Sequence, residues 1–150
     1  MKKQLSKSEL KELNQAISDA FGVTDFFGKK DVVELVDKKY VSRDDARLFF
    51  YHDKTLVPSL RLLLQQRMLK HVEVDMGAVK FVTNGADIMR PGIVSMENGI
   101  SKGNLVVIID EKHHKPLAVG IMLLDGREAM ESVEGKIIRN IHHVGDAVWG

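Results

Sequence analysis

Two Gly-Ala pairs eight residues apart, Gly77-Ala78 and Gly85-Ala86, followed by Pro91-Gly92, form the most specific pattern in this 150-residue chain. Residues without a Cβ leave their amides open, so a ribose, a base or another flat group can come close to the backbone. Lys80 and Arg90 stand among these glycines, and long cations there reach phosphates. Met76 and Met89 offer a soft apolar platform, although methionine more often fills gaps in a core. The chemistry such a set supports is contact with RNA.

The elements that position this set are short. Asp75 is a helix N-cap, Ala78, Val79 and Val82 recur on one face, and Asn84-Gly85 supplies a left-handed exit. A strand follows, with Pro91-Gly92 turning the chain within it. Each feature has a plain structural reading beside the functional one: Gly85 is explained by a C-cap, Lys80 by a solvated helix face, and Arg90 by an exposed strand end.

Two histidine pairs need the same weighing. His113-His114 lies between Glu111-Lys112 and Lys115-Pro116, which reads as a solvated turn. In a strand, adjacent side chains face opposite ways, so only one of His142 and His143 can join any one site. Either one with Asp146 makes two candidate metal ligands, short of the three or four a site needs, so no metal is expected and an RNA-facing histidine is the better reading. Asp75, Asp87, Asp110 and Asp125 fall at expected caps and turns, and no phosphate loop, nucleophile elbow or paired-acid spacing appears. Neither catalysis nor a cofactor is indicated.

The segment from Val72 to Gly92 resembles the opening of a PUA domain, the small β-barrel named after pseudouridine synthases and archaeosine transglycosylases. The likeness continues through Ser101-Lys102-Gly103-Asn104 with Leu105 to Ile109, through Leu117-Ala118-Val119-Gly120-Ile121, and through the closing Ile141 to Trp149. Val57-Pro58-Ser59-Leu60-Arg61-Leu62-Leu63 and Arg139-Asn140-Ile141-His142 are similar to the malignant-T-cell-amplified-sequence family, in which a small α/β domain precedes a PUA domain. That resemblance implies a non-catalytic factor in translation. Its partners would be structured RNA, either the acceptor region of tRNA or ribosomal RNA, together with the small ribosomal subunit and a protein partner. The implied RNA-binding residues are Gly77, Lys80, Asn84, Gly85, Arg90, Pro91, Gly92, Arg139, His142 and His143. The chain departs from those relatives in having no cysteine and in being short at both termini.

Composition agrees with a globular protein: 44% of residues are hydrophobic and 29% charged. No apolar run approaches the roughly 18 residues of a membrane span, so a cytoplasmic protein with no membrane partner is expected. The net charge of +1 hides an asymmetry, since residues 1–70 carry 14 Lys/Arg against 10 Asp/Glu while residues 71–150 carry 8 against 11. An RNA-binding C-terminal half must therefore cluster its few cations.

Ser6-x-x-Glu9 is a capping-box spelling, and Leu10, Leu13, Ile17 and Phe21 recur at helical spacing until Gly22, which predicts an opening helix. Strands are expected at Asp31 to Val36 and Arg47 to Tyr51, with a turn at Asp53-Lys54. Pro58 reads as the first residue of a helix running to Gln66. Further strands are predicted at His71 to Val74, Ile88 to Val94, Leu105 to Ile109, Leu117 to Leu124, Lys136 to His143 and Ala147 to Trp149, with a helix around Arg127 to Val133. The expected architecture is α+β: a small α/β domain over residues 1–70, packed rigidly on a partly open PUA-type barrel over residues 71–150. Two rivals share that architecture, an accessory subunit presenting RNA to a modification enzyme and a protein-protein adaptor that has lost RNA affinity.

Overall fold

A computed structural model describes residues 1–150, which divide into two compact units, Met1–Met68 and Leu69–Gly150. In the first unit, β1 (Lys2–Gln4) precedes α1 (Lys7–Phe21), and a meander follows: β2 (Val33–Val36), β3 (Tyr40–Arg43), β4 (Ala46–His52) and β5 (Thr55–Pro58), then α2 (Leu60–Leu63). The five strands pair antiparallel in the order β1-β2-β3-β4-β5. At the start of α1, Ser6 Oγ accepts from the Glu9 amide at 3.1 Å, and the Glu9 carboxylate accepts from the Ser6 amide at 3.0 Å. Leu13 and Ile17 on that helix are buried with Phe27, Val33, Val41 and Phe49.

Three sharp turns carry the meander, at Asp37-Lys38, Asp44-Asp45 and Asp53-Lys54, and both residues of each pair have positive φ. Such pairs suit type I′ turns, whose twist matches that of the flanking strands. Asp tolerates this left-handed region better than most residues because its short side chain bonds locally.

The structure departs from the sequence expectations at several points. The chain opens on a strand rather than a helix, and β3 is a strand that the sequence did not predict. Pro58 closes β5, an edge strand where a missing N–H costs no ladder bond, and Ser59 is the N-cap of α2. The helix ends at Leu63, short of Gln66.

The second unit runs β6 (Lys70–Val74), α3 (Met76–Thr83), β7 (Ile88–Met89), a 3₁₀ turn (Arg90–Gly92), β8 (Ile93–Met96), β9 (Leu105–Asp110), β10 (Pro116–Met122), α4 (Gly126–Glu131) and β11 (Lys136–His143). The sheet order is β7-β11-β10-β9-β6-β8, with β6 and β9 parallel and the other pairs antiparallel. β7 and β8 thus lie at opposite edges, yet only the three residues of the 3₁₀ turn join them. A link of that length reaches about 10 Å, so the sheet curls until its edges nearly meet. The result is a partly open barrel, filled by Val72, Val74, Val106, Ile108, Ala118, Met122, Ile137 and Ile138. Gly120 is needed at its tightest point, where a Cβ would stand 2.3 Å from Ile138 Cγ2 and 2.9 Å from the Arg139 carbonyl oxygen.

The single strand expected over Ile88 to Val94 is therefore two edge strands broken by the 3₁₀ turn. Ala147 to Trp149 is not a strand either: the Asp146 carboxylate accepts the Trp149 amide at 2.9 Å and holds the segment in a turn. Among the helices of the chain, none is long and apolar enough to cross a membrane.

Candidate nucleic-acid interface

α3 is held at both ends by short-range bonds. Asp75 Oδ1 accepts the Ala78 amide at 2.9 Å, and the Gly85 amide, at φ +94°, donates to the Val82 carbonyl at 3.0 Å. Val82 is buried, and Ala78 and Val79 pack against the barrel core. The rest of the segment turns outward with Met76, Gly77, Lys80, Phe81 and Asn84, all exposed. Phe81 is 64% exposed, an unusual position for an aromatic ring on a short helix.

Asn140 on β11 ties the exit of this helix to the sheet. Its amide nitrogen Nδ2 donates to the carbonyls of Val82 and Ala86 at 3.1 and 3.0 Å, while its backbone N–H donates to Asp87 Oδ1 at 2.8 Å. The other Asp87 oxygen meets Lys136 Nζ at 2.9 Å. Lys136 above all, the Asn140 amide and the charge of Arg139 hold the Asp87 carboxyl below the usual range, against the opposing effect of burial. Arg139 is exposed on the same strand.

The three glycines are not equally open. A Cβ on Gly77 would meet only Asp75 Oδ1, at an ordinary 3.4 Å, whereas one on Gly92 would crowd Ala78 Cβ at 3.2 Å and one on Gly85 would meet the His143 ring. Gly77 is thus the exposed one of the three; Gly92 packs against α3 and Gly85 lies beneath His143.

Arg90 is likewise corrected. It is not at a free strand end: Nη1 donates to the Ile93 carbonyl at 3.0 Å, Nη2 to the Met130 carbonyl at 3.3 Å, and its own amide to the Gly135 carbonyl at 2.8 Å. Its guanidinium ties the 3₁₀ turn that joins β7 to β8 onto the first residue of β8 and onto α4, beside the exposed Pro91. His142 is fully buried, with Nδ1 2.9 Å from Asp146 Oδ2, so it is a core residue and not a surface contact. Burial by itself would raise the Asp146 carboxyl; His142 and the amides of Trp149 and His143 override it and lower its pKa to about 2. His143 is half-buried, its Nδ1 2.9 Å from the Val144 carbonyl.

Exposed on α3 and its exit are Met76, Gly77, Lys80, Phe81 and Asn84, while Met89 is exposed on β7 and Arg139 on β11. Phe81 is not among the residues that the sequence singles out. At the helical advance of about 100° per residue, position 81 lies roughly 100° from the centre of the stripe formed by Ala78, Val79 and Val82. Periodicity alone leaves such a flanking ring undecided between core and surface. The four carboxylates Asp75, Asp87, Asp110 and Asp125 have structural work: Asp75 caps α3, Asp87 anchors Asn140, Asp110 accepts amides of Lys112, His113 and Lys115, and Asp125 accepts that of Lys102. No group of three or more His, Asp or Glu side chains is placed to hold a metal ion.

Comparison with known proteins agrees with this architecture. Residues 70–144 match the PUA domain family. An uncharacterized protein of Methanocaldococcus jannaschii, MJ1432, is 39% identical over 150 residues, covering 97% of this chain and 93% of its own. Translation machinery-associated protein 20 of Saccharomyces cerevisiae is 38% identical over 139 residues, 85% of this chain and 76% of the relative. Malignant T-cell-amplified sequence 1-B of Xenopus laevis is 31% identical over 160 aligned residues, 97% and 88%. Among solved structures, the hypothetical protein PH0734.1 of Pyrococcus horikoshii superposes with a TM-score of 0.83 at 32% identity, covering 99% of this chain and 98% of that one. The curled sheet, the Gly-Ala helix and the likeness along nearly the whole chain lead to one assignment: the chain belongs to the PUA-domain proteins, within the malignant-T-cell-amplified-sequence family.

Proposed function

We propose that this protein is a non-catalytic RNA-binding factor acting in translation, in the cytoplasm, and that the outward side of α3 is its RNA contact. The observation that carries the reading is Phe81, an exposed ring beside Lys80 and one helical turn from the exposed Gly77. An unstacked base finds a platform on such a ring, and Lys80 and Arg139 supply charge for the flanking phosphates. Met76 and Met89 widen the apolar surface at its margin. The names of the relatives from Saccharomyces and Xenopus support a role close to the translation machinery, and the ligand we favour is the acceptor region of tRNA or small-subunit ribosomal RNA. Gly85, Gly92 and Arg90 then serve the site from behind by fixing the helix and the 3₁₀ turn.

Affinity recovery from a lysate, with ultraviolet crosslinking before nuclease digestion, tests this. Small ribosomal subunits and tRNA crosslinked to wild type but not to a Phe81→Ala/Lys80→Ala variant are the expected result. Recovery of an RNA-modification enzyme as the main partner replaces the translation role with an accessory one. Nuclease-resistant protein complexes without crosslinked RNA identify an adaptor.

A further inference from the structure

We infer that the N-terminal unit carries a second RNA contact, a lysine-rimmed cleft between α1 and the loop at Thr24 to Lys30 that takes the sugar-phosphate backbone of a single strand. It adds to the α3 site and does not depend on it. The cleft has a volume of about 960 Å³, with Lys7 and Lys11 on the helix side and Lys29 and Lys30 on the loop side. Asp25 is the one carboxylate in its lining.

Three cations of this unit have a carboxylate partner, whereas the cleft lysines, like Lys38, Lys39 and Lys54, do not. Lys2 pairs with Asp45 at 3.2 Å, Lys3 with Glu9 at 2.7 Å and Arg43 with Asp31 at 3.1 Å. Lys7, Lys11, Lys29 and Lys30 are exposed and have no acidic partner. Four cations facing one cleft with one acid among them repel each other unless an anion enters.

The cleft is also built rather than accidental. Asn14 on α1 bonds both sides of Phe27, donating to its carbonyl at 2.9 Å and accepting its amide at 3.0 Å, which fixes the loop to the helix. Lys29 and Lys30 occupy the middle of a closed turn, with the Asp31 amide donating to the Gly28 carbonyl at 3.1 Å and Asp31 Oδ2 accepting the Gly28 amide at 2.8 Å. The lysine stems therefore leave a fixed backbone. Lys7 and Lys11 stand one turn apart, about 6 Å along the helix, so each can address a separate phosphate.

An acidic peptide would also meet the lysines. Asp25 in the same lining repels a peptide carboxylate but accepts a bond from a ribose 2′-hydroxyl, and the hydroxyls of Ser18 and Thr24 can pair with the same group. This favours RNA.

The test uses the full chain, a fluorescein-labelled oligouridine, and anisotropy across a sodium chloride series. For Lys7→Ala/Lys11→Ala/Lys29→Ala/Lys30→Ala we expect at least tenfold weaker binding and a salt slope reduced by roughly 0.7 for each phosphate no longer neutralised. The matching four Lys→Arg substitutions should retain binding, and melting curves should show all variants folded. Unchanged affinity and slope in the alanine variant overturns the proposal. So does a variant that no longer binds a labelled oligoglutamate peptide while oligouridine binding stays intact, which assigns the cleft to an acidic protein segment. Phe81→Ala/Lys80→Ala keeps the two sites distinguishable: binding abolished there with the cleft variant unaffected removes this proposal alone, and the converse removes the α3 reading alone.

Discussion

The imidazole of His143 covers Gly85, so that a Cβ built on the glycine would stand 3.0 Å from Nε2 and 3.2 Å from Cδ2. Gly85 is held at φ +94° as well, so two separate costs meet any substitution there. Gly85→Ala should destabilise the protein by about 1–2 kcal/mol from backbone strain alone, and Gly85→Val by more. Combining Gly85→Ala with His143→Ala removes the crowding and leaves the strain, so chemical denaturation of the two single variants and the double variant separates the terms. Additive losses would mean that the ring yields freely.

Arg90 should behave as a staple. Arg90→Ala removes charge-assisted bonds to two carbonyls and should cost about 1.5–3 kcal/mol, read from urea unfolding. Arg90→Lys keeps the charge but not the fork, and should be nearly as damaging to stability while leaving the salt slope of RNA binding unchanged. A stable Arg90→Lys protein with a reduced slope would return Arg90 to the binding surface.

Phe81 and Lys80 should show the opposite signature. Phe81→Ala removes a stacking platform worth about 1–3 kcal/mol per base, so RNA affinity should fall several-fold or more while the melting temperature barely moves. Lys80→Ala should weaken binding across RNA sequences and reduce the salt slope by about 0.7 to 0.9. Lys112→Ala and Lys115→Ala, in the turn between β9 and β10, are the controls and should have little effect. Equal losses from all three lysine variants would indicate diffuse attraction only.

Acid unfolding should report Asp146. Its carboxyl ionises near about 2 in the folded protein against 3.8 for the free group, so the folded state binds fewer protons over that interval. Its contribution to stability is present above the unfolded value and fades as pH falls from about 4 towards 2. Asp146→Asn should lower stability at pH 7 and flatten this part of the acid limb, measured by tryptophan fluorescence at fixed denaturant. An acid limb of unchanged steepness in the variant would show that His142, His143 and Trp149 do not depend on that charge.

How much of this is legible in the sequence depends on how local each cause is. The capping box of α1, the Asp75 cap and the Gly85 exit are set by neighbours within a few residues, and each can be read directly. The second sheet is legible as a set of strands, and the family resemblance supplies its barrel. Its pairing is not, because β6 bonds in parallel to β9 across more than thirty residues and no local spelling encodes that choice. Arg90 and His142 are also misplaced by sequence reasoning. The Arg90 guanidinium looks like a surface group until the Met130 carbonyl arrives from forty residues away, and the burial of His142 comes from its place in β11 rather than from Asp146, which is only four residues on. The cleft lysines are visible only as excess charge, since the turn that aims Lys29 and Lys30 depends on the Asp31 carboxylate.

The seam at Arg90–Gly92 also bears on the order of folding. In the first unit every strand pairs with the strand next to it in chain order, and its sheet is complete once residue 58 exists. In the second, β7 finds its only partner in β11, which ends at His143. A chain leaving the ribosome can therefore finish its first sheet before the second is begun, while one edge of the second stays unmatched until β11 is made. Deleting even the final strand would leave the 3₁₀ turn joined to a β7 with nothing to bond.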